Sequence, residues 1–266
     1  MDHLSELENK TIFLVREAYA RFRNIALLWS IGKDSTTLLW IARKAFFGKI
    51  PFPIIHIDTS FKFPEIYAFR KKYVKIWGLD LIVCKNLPAL KAKVSPEQTK
   101  YTCCNSLKTE ALKIGLKKYG FKALLLAIRR DEHGIRAKER YFSPRNAHFK
   151  WNYQNQPAEI WDFYQSRAAQ GEHLRIHPML HWSELDVWRY IQREKIPAVK
   201  LYFSAGGKRY RSIGCAPCCK PINSDADTIG KIIHELKTTK EAERSGRAQD
   251  KEDIYNMQRL RSLGYM

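Results

Sequence analysis

Short apolar runs alternate with amphipathic segments over the first 130 residues, and this alternation constrains the fold more than any other feature of the sequence. Four runs are typical of buried strands, at residues 25–29, 53–58, 79–83 and 122–128. Helical patterns lie before and between them, at residues 4–22, 36–47, 64–77 and 106–119. Strands that alternate with helices of this length favour an α/β fold in which helices cover both faces of a parallel sheet. Ligands of such sheets bind outside the carboxyl ends of the strands.

The sequence is less regular after residue 140. Residues 175–180 are predicted to be extended, and residues 183–194 to form a helix with Ser183 and Asp186 as its caps. The charged stretch 225–266 has a mostly helical pattern. We therefore expect one domain over residues 1–220 and a helical C-terminal extension over residues 221–266 that packs on it.

The chain is strongly basic, with 47 Lys and Arg against 27 Asp and Glu and a formal net charge of +20. Such an excess suits polyanions such as nucleic acid or polyphosphate, although a basic surface without a dedicated partner remains the alternative. A hydrophobic share of 45% excludes a disordered chain. No apolar run is long enough to cross a bilayer, and the acidic, amphipathic start is unlike a signal peptide. We expect a cytoplasmic protein with no membrane partner.

The loop Ser30-Ile31-Gly32-Lys33-Asp34-Ser35 separates the first predicted strand from a helix. Backbone N–H groups and the helix dipole make such a position an anion site, where Gly32 allows close backbone approach. The hydroxyls of Ser30 and Ser35 can donate hydrogen bonds, and Lys33 adds a positive charge. Asp34 suggests either helix capping or a contact to Mg²⁺. The pattern differs from a Walker A loop, and a well-capped helix start remains the alternative.

This loop resembles the pyrophosphate loop of the N-type ATP pyrophosphatases. These enzymes belong to the phosphoadenosine phosphosulfate reductase superfamily, cleave ATP between the α and β phosphates and adenylylate their substrates. Further segments are similar to the small subunit of sulfate adenylyltransferase: His-Ile-Asp-Thr at 56–59, Phe-Lys-Phe at 61–63, Ile-Arg-Arg-Asp-Glu at 128–132, Arg-Ala-Lys-Glu-Arg at 136–140, Trp-Ser-Glu-Leu-Asp-Val-Trp at 182–188 and Gly-Tyr at 264–265. The resemblance covers nearly the whole chain. It implies a Rossmann-like adenine nucleotide alpha hydrolase fold with ATP over the first strands.

The resemblance also gives the segments roles. Asp58 and Thr59 follow the second predicted strand, where a side chain can meet the ribose or adenine of ATP. His56 is either a binding residue or a packed core histidine. Spread positive charge promotes displacement at an α-phosphate, and we expect it from Lys33, Arg129, Arg130 and Arg136, with Asp34 beside them. The alternative for the arginines is a surface set of ion pairs with Asp131, Glu132 and Glu139.

Two features depart from the small subunit. The segment between Leu201 and Cys215 is short, which puts docking of a GTPase partner subunit in doubt. The pair Cys103-Cys104 and the pair Cys215-x-x-Cys218 resemble the pattern with which adenylyl-sulfate reductases ligate a [4Fe–4S] cluster. Two thiolate pairs also suit structural zinc, but adjacent ligands are an awkward chelate for a tetrahedral ion, so the iron–sulfur cluster is preferred. Buried, inert thiols are the third interpretation.

These features lead to three candidate functions. The first is activation of a DNA backbone phosphate for sulfur insertion, with a cysteine desulfurase and other sulfur-modification proteins as partners, as in the Dnd and Ssp phosphorothioation systems that the chain resembles. The alternative is sulfate adenylylation with a GTPase subunit. A reductase ranks third because no cysteine follows Cys219. For the first function, DNA would lie along the acid-free run 195–224 near Lys208, Arg209 and Arg211. The oligomeric state, homo-oligomers included, is left open.

Overall fold

The computed structural model describes residues 1–154, 156, 158–165, 167–248 and 256–265. Its main sheet has six strands in the order β3-β2-β1-β4-β6-β5. Their ranges are β1 Ile25–Leu28, β2 Ile54–Ile57, β3 Leu81–Cys84, β4 Ala123–Leu125, β5 Phe142–Arg145 and β6 His173–Ile176. All neighbours pair in parallel except β5, which runs antiparallel to β6. The predicted α/β fold with a mainly parallel sheet is confirmed.

Helices follow the strands as the alternation predicts. Their ranges are α1 His3–Phe22, α2 Lys33–Ala45, α3 Pro64–Ile76, α4 Leu87–Lys91, α5 Lys100–Cys104, α6 Ala111–Tyr119, α7 Glu184–Glu194, α8 Ile229–Thr238 and α9 Asn256–Ser262. A π-helical turn, Asn105–Glu110, joins α5 to α6. A short antiparallel pair, β7 Lys208–Arg209 and β8 Ile222–Asn223, lies outside the main sheet. No helix among the described residues is long and apolar enough to cross a membrane.

Strand β1 lies in the middle of the sheet, and its side chains alternate between two hydrophobic clusters. Ile25 and Leu27 join the larger cluster with residues of α1, α2 and α7. Ala26 and Leu28 join the smaller cluster with Leu112 of α6. This alternation is the period of two that an extended strand imposes, so helices cover both faces of the sheet.

The edge strand β5 was not predicted from the sequence. Its residues Phe142-Ser143-Pro144-Arg145 include a proline, which central strands exclude and edge strands accept. Arg145 is fully buried and forms a 2.7 Å ion pair with Glu139, which also pairs with Arg261 of α9. A network of buried ion pairs thus holds this strand in place, and no hydrophobic pattern in the sequence predicts the strand.

The helical prediction for residues 225–266 agrees with α8 and α9 where the chain is described, while residues 249–255 and 266 lie outside the described residues. Ile232 and Ile233 of α8 join the larger hydrophobic cluster. After α9, the guanidinium of Arg175 donates to the carbonyl oxygens of Gly264 and Tyr265. The end of the chain therefore packs against the sheet through strand β6.

Candidate functional site

A cleft opens at the carboxyl ends of β1 and β4, the position that parallel sheets use for ligands. It encloses about 970 Å³ of space, its open mouth included. The loop at residues 30–35 forms one side, the segment that follows β4 forms another, and Glu243, Arg244 and Arg247 enter from the C-terminal part of the chain. The cleft thus combines the predicted phosphate loop with residues from the end of the sequence.

The loop itself is held in an unusual conformation. Ile31 has a φ of 68°, in the left-handed region that β-branched residues seldom adopt, and its side chain is fully buried. The hydroxyls of Ser30 and Ser35 lie 3.0 Å apart across the loop. Gly32 precedes the first residue of α2, and the N–H of Lys33 donates to the hydroxyl of Tyr202 over 2.9 Å. Strain of this kind persists where surrounding packing enforces it, and it concentrates at functional sites.

Two carboxylates, Glu243 and Asp34, contact both Lys33 and Arg129 at the loop. Glu243 is buried and forms ion pairs with both Lys33 and Arg129. Burial alone would raise the pKa of Glu243, but Arg129 and Lys33 hold it well below its usual range. Asp34 also pairs with Arg129, and its Oδ2 lies 3.3 Å from the Nζ of Lys33. Asp34 is therefore a charge partner of these cations in this structure, and its contact to Mg²⁺ stays a prediction.

A second set of cations also lines the cleft and consists of Lys62, Lys108 and Arg247. Lys108 and Arg247 are only 6% and 4% exposed. Within the described residues, neither Lys62 nor Arg247 forms an ion pair with a carboxylate, and the Nε of Arg247 has no hydrogen-bond partner. Lys108 donates to the hydroxyl of Tyr265 over 3.2 Å. Buried cations without acidic partners indicate a site for an anion.

Four of the predicted metal ligands come near one another but do not form a ligand set. Cys103, Cys104, Cys215 and Cys218 are all buried and interact electrostatically. The Sγ of Cys215 lies 3.1 Å from the Oγ1 of Thr59. Yet among the described residues no group of three or more Cys, His, Asp or Glu is arranged to hold a metal ion. The residues present do not fit zinc or an iron–sulfur cluster as placed, and that prediction gains no support.

Cys215 faces the second set of cations. Burial would raise the pKa of its thiol, but Lys108 and Lys62 lower it to about 7. The neighbouring Cys219 thiol accepts a hydrogen bond from the N–H of Gly214 over 3.1 Å, so it has a structural contact. Cys84 lies buried in β3 within the smaller hydrophobic cluster.

The other predicted arginines lie in different surroundings. Arg136 lines the cleft and pairs with Glu132. Neither Arg129 nor Arg130 is among the residues that line the cleft. The guanidinium of Arg130 lies over the ring of Tyr141 at 5.3 Å, whereas Arg129 pairs with Glu243 and Asp34, which do line the cleft. That both arginines hold the phosphates stays a prediction, and the contacts of Arg129 place it nearer the loop.

The residues around the end of β2 do not line the cleft, although Ile57 between them does. His56 is fully buried with its Nδ1 2.8 Å from the carbonyl of Trp29, and burial lowers its pKa to about 3. It is thus a neutral, packed histidine here. Asp58 accepts from the hydroxyl of Tyr67 over 2.9 Å and also pairs with Lys85. The roles of Asp58 and Thr59 toward the nucleoside stay predictions.

The acid-free run 195–224 is not an open basic surface. Arg211 pairs with Glu184 of α7 at 2.7 Å, and Arg209 pairs with Glu235 of α8 at 2.5 Å. Both arginines are buried, whereas Lys208 is exposed. Acids from distant helices therefore neutralise cations that have no acidic neighbour in the sequence. The expectation that all three line a DNA-binding face is wrong for Arg209 and Arg211.

Sequence reasoning missed several residues in or beside the cleft. Glu184 does not line the cleft but lies 3.9 Å from the Nζ of Lys33. It belongs to the 182–188 motif, and its position next to the Ser183 cap was the available signal. Lys62 lies in the Phe-Lys-Phe motif that carried part of the resemblance. Glu243 and Arg247 lie in a charged C-terminal stretch whose pattern indicates only a solvated helix, so no local signal marked them.

Comparison with known proteins places these observations in a family. The family model for the phosphoadenosine phosphosulfate reductase domain matches residues 24–221. Sulfate adenylyltransferase subunit 2 from Shewanella pealeana is 39% identical over 298 aligned positions, covering 100% of this chain and 98% of that protein. The protein of the same name from Saccharophagus degradans is 40% identical with the same coverage. Because this chain has 266 residues, the relatives contain segments that it lacks.

Solved structures share the fold at low sequence identity. A phosphoadenylyl-sulfate reductase from Candida auris, in a phosphate complex, matches with a TM-score of 0.53 and 19% identity over 80% of this chain and 97% of its own. An FMN adenylyltransferase from Candida glabrata, in complex with ATP, matches with a TM-score of 0.57 and 17% identity over 82% of this chain and 63% of its own. Both support the architecture of the sheet.

Proposed function

Because the chain belongs to the phosphoadenosine phosphosulfate reductase domain family, we propose that it is an adenylyltransferase that joins the AMP portion of ATP to sulfate. A sulfate oxygen attacks the α-phosphorus, the bond from that phosphorus to the oxygen bridging the β-phosphorus breaks, and pyrophosphate leaves. The product is adenylyl sulfate. Full-length similarity to proteins named sulfate adenylyltransferase subunit 2 supports this assignment.

ATP is assigned to the cleft, with its polyphosphate at the loop of residues 30–35. Lys33 and Arg136 line the cleft on that side, and Arg129 adds positive charge next to Asp34 and Glu243, with which it pairs. Charge on the leaving pyrophosphate grows as the bond breaks, so fixed cations stabilise the transition state more than the ground state. Mg²⁺ would add charge neutralisation when it enters with the polyphosphate. No nucleophilic side chain is needed for this displacement.

The second set of cations supports sulfate as the group that accepts the AMP portion of ATP. Lys62, Lys108 and Arg247 surround a buried position in the same cleft as the phosphate loop. Such an enclosure suits a small, doubly charged oxyanion such as sulfate, which can be held by charge from several sides. A DNA backbone needs an open groove of cations, and Arg209 and Arg211 do not supply one because acids pair with both. The geometry therefore favours sulfate over DNA, and nothing in it favours the desulfurase-dependent reaction.

A second subunit is proposed as the partner, since the relatives are named as subunit 2 of their enzyme. The resemblance makes that partner a GTPase. This chain is shorter than the aligned relatives, and the sequence locates one short segment between residues 201 and 215. We propose that docking of the partner, if it uses that region, involves fewer contacts from this chain.

The test is sulfate-dependent exchange of labelled pyrophosphate into ATP, measured with the purified chain alone and with the GTPase subunit of a sulfate adenylyltransferase added. We expect exchange that needs sulfate and is abolished by Lys33→Ala. A parallel reaction replaces sulfate with DNA and a cysteine desulfurase. Pyrophosphate release that depends on DNA, with no response to sulfate, would reverse the assignment of the acceptor. ATP binding without turnover under any condition would indicate a non-catalytic adaptor.

A further inference from the structure

Residues 239–247, called the strap below, cross the cleft after α8 and place Glu243 between the two cations of the phosphate loop. Glu243 pairs with Lys33, the first residue of α2, and with Arg129, which follows β4. Lys33 and Glu243 line the cleft, and Arg129 reaches it through its pair with Glu243. Glu243 thus bridges the two side chains to which the proposed function assigns the polyphosphate of ATP, beside Asp34, which contacts both as well.

A carboxylate and a phosphate interact with a lysine and an arginine in the same way. Both are anions whose oxygens accept charge-assisted hydrogen bonds from ammonium and guanidinium groups. Lys33 and Arg129 are buried, with no more than 1% of either side chain exposed, so the position that Glu243 occupies between them is closed to a phosphate while Glu243 stays in place. A polyphosphate beside Glu243 would also place like charges together in a site with little water.

The strap is held by polar contacts, which can break and form again with another partner. Its buried side chains are all charged, namely Glu243, Arg244 and Arg247. Arg244 pairs with Glu132 at 3.1 Å, and the carbonyl of Gly246 accepts from the N–H of Lys220 over 2.9 Å. The strap places no apolar side chain in either of the large hydrophobic clusters. Segments held by polar contacts open at lower free energy than packed helices and strands.

We propose that Glu243 competes with the polyphosphate of ATP for Lys33 and Arg129, so that ATP binds only as the strap withdraws this carboxylate from the phosphate loop. Glu243 then sets the affinity for ATP without contacting it. This inference rests on the proposed function, because it assumes that the two cations bind the phosphates. A carboxylate that stays in place when ATP binds would instead be a permanent structural counter-ion.

The first test is the affinity of Glu243→Gln for ATP and for inorganic pyrophosphate, measured by titration calorimetry on the full chain. Apparent affinity equals intrinsic affinity multiplied by the fraction of competent molecules, so loss of the competing charge should tighten binding by roughly tenfold for both ligands. Loss of a structural counter-ion would weaken binding instead. Glu235→Gln is the matched control, because it removes the same charge from α8, outside the cleft, and should leave both affinities unchanged.

The second test uses the unmodified chain and therefore does not depend on whether the variant folds. Hydrogen–deuterium exchange is measured with and without saturating ATP. The N–H groups of Ser245 and Arg247 donate to carbonyls within the strap, so their exchange reports its opening. Displacement predicts that ATP speeds exchange at residues 239–247 while it slows exchange at residues 30–39. Slower exchange in both segments would show that the strap closes over ATP, which overturns the proposal.

Different results would contradict the proposed function and the competition between Glu243 and ATP. An unmodified chain that binds neither ATP nor pyrophosphate removes the proposed function and the competition together. An unmodified chain that binds both, with an unchanged or weaker affinity in Glu243→Gln, leaves the proposed function standing and overturns only the competition.

Discussion

At the scale of single residues, the loop between β1 and α2 places its special backbone conformation at Ile31 and not at Gly32. Gly32 has a φ of −75°, which any residue adopts, whereas the φ of Ile31 is 68°. A Cβ added at Gly32 would meet the Tyr202 hydroxyl at 3.4 Å and the Ser30 hydroxyl at 3.5 Å, both ordinary contacts. The fold itself therefore does not require glycine at this position, which leaves close approach of a ligand as its reason.

Gly32→Ala tests whether the fold or the approach of a ligand requires glycine at this position. We expect the free energy of unfolding to change by less than about 1 kcal/mol, because no backbone strain or clash is introduced. The KM for ATP should rise by roughly tenfold or more, since a methyl group would stand where the backbone approaches a phosphate. Urea unfolding and initial rates at varied ATP measure the two effects. An unchanged KM would leave Gly32 without a role in phosphate binding.

Gly214 offers a similar test of the second set of cations. A Cβ there would lie 2.3 to 2.6 Å from the guanidinium of Arg247, the far end of a flexible side chain that can shift. Gly214→Ala should therefore move Arg247 with little loss of stability and raise the KM for sulfate several-fold, with a smaller change for ATP. Gly230→Ala, where the added Cβ meets open space, is the control. Equal effects on both substrates would argue against a separate sulfate position.

At the scale of elements, most helices and strands follow from patterns that the sequence displays. Hydrophobic periodicity is sufficient for β1, β2 and α1, because each buries a regular stripe or both faces. It fails for β5, where Arg145 finds its partner in Glu139, and for the approach of Glu243 to Arg129. Glu243 and Arg129 are 114 positions apart, and although Arg145 and Glu139 are only 6 apart, hydrophobic periodicity predicts no ion pair. The loop of the candidate site was predictable, whereas its counter-charges were not.

Helix α7 gives a prediction at this scale. Ser183 and Asp186 form the capping box that its sequence predicts, with the Ser183 hydroxyl accepting from the Asp186 N–H over 3.1 Å. Ser183→Ala should cost about 1 to 2 kcal/mol of unfolding free energy, since it removes the hydroxyl that accepts from the Asp186 N–H and donates to the Asp186 carboxylate over 2.6 Å. Thr228→Ala removes the single cap bond of α8 and should cost less. Urea titration compares the two, and a larger loss at Thr228 would contradict the capping argument.

At the scale of the whole molecule, many charged groups are internal. Buried arginines pair with carboxylates from other elements, as at Glu139, Glu184, Glu235 and Glu243. These arginines are not open to an external polyanion, although each pair leaves the net charge of +20 unchanged. The pairs also tie stability to pH, because they and several buried histidines hold fixed protonation states.

The molecule should lose stability as the pH falls below about 6.5. Burial lowers the pKa of His56 and His177 to about 3, and that of His173 to about 2. In the unfolded chain these groups bind protons below about pH 6.5, whereas the folded protein excludes them, so acid favours unfolding. Each histidine should cost about 1.4 kcal/mol at pH 5.5 by this linkage.

Glu139 adds to the effect at lower pH. Burial would raise its pKa, but Arg145 and Arg261 hold it well below its ordinary value near 4.5, so its contribution is complete above that value and disappears as the pH falls further. Urea unfolding at pH 7.5, 6.5, 5.5 and 4.5 should therefore show a continuous decline, steeper than His177→Gln shows between pH 6.5 and 5.5. The variant removes one titrating group while leaving the Glu139 pairs in place. A free energy of unfolding that does not change down to pH 5 would show that the histidines are protonated in the folded chain. That result would contradict their buried, neutral state.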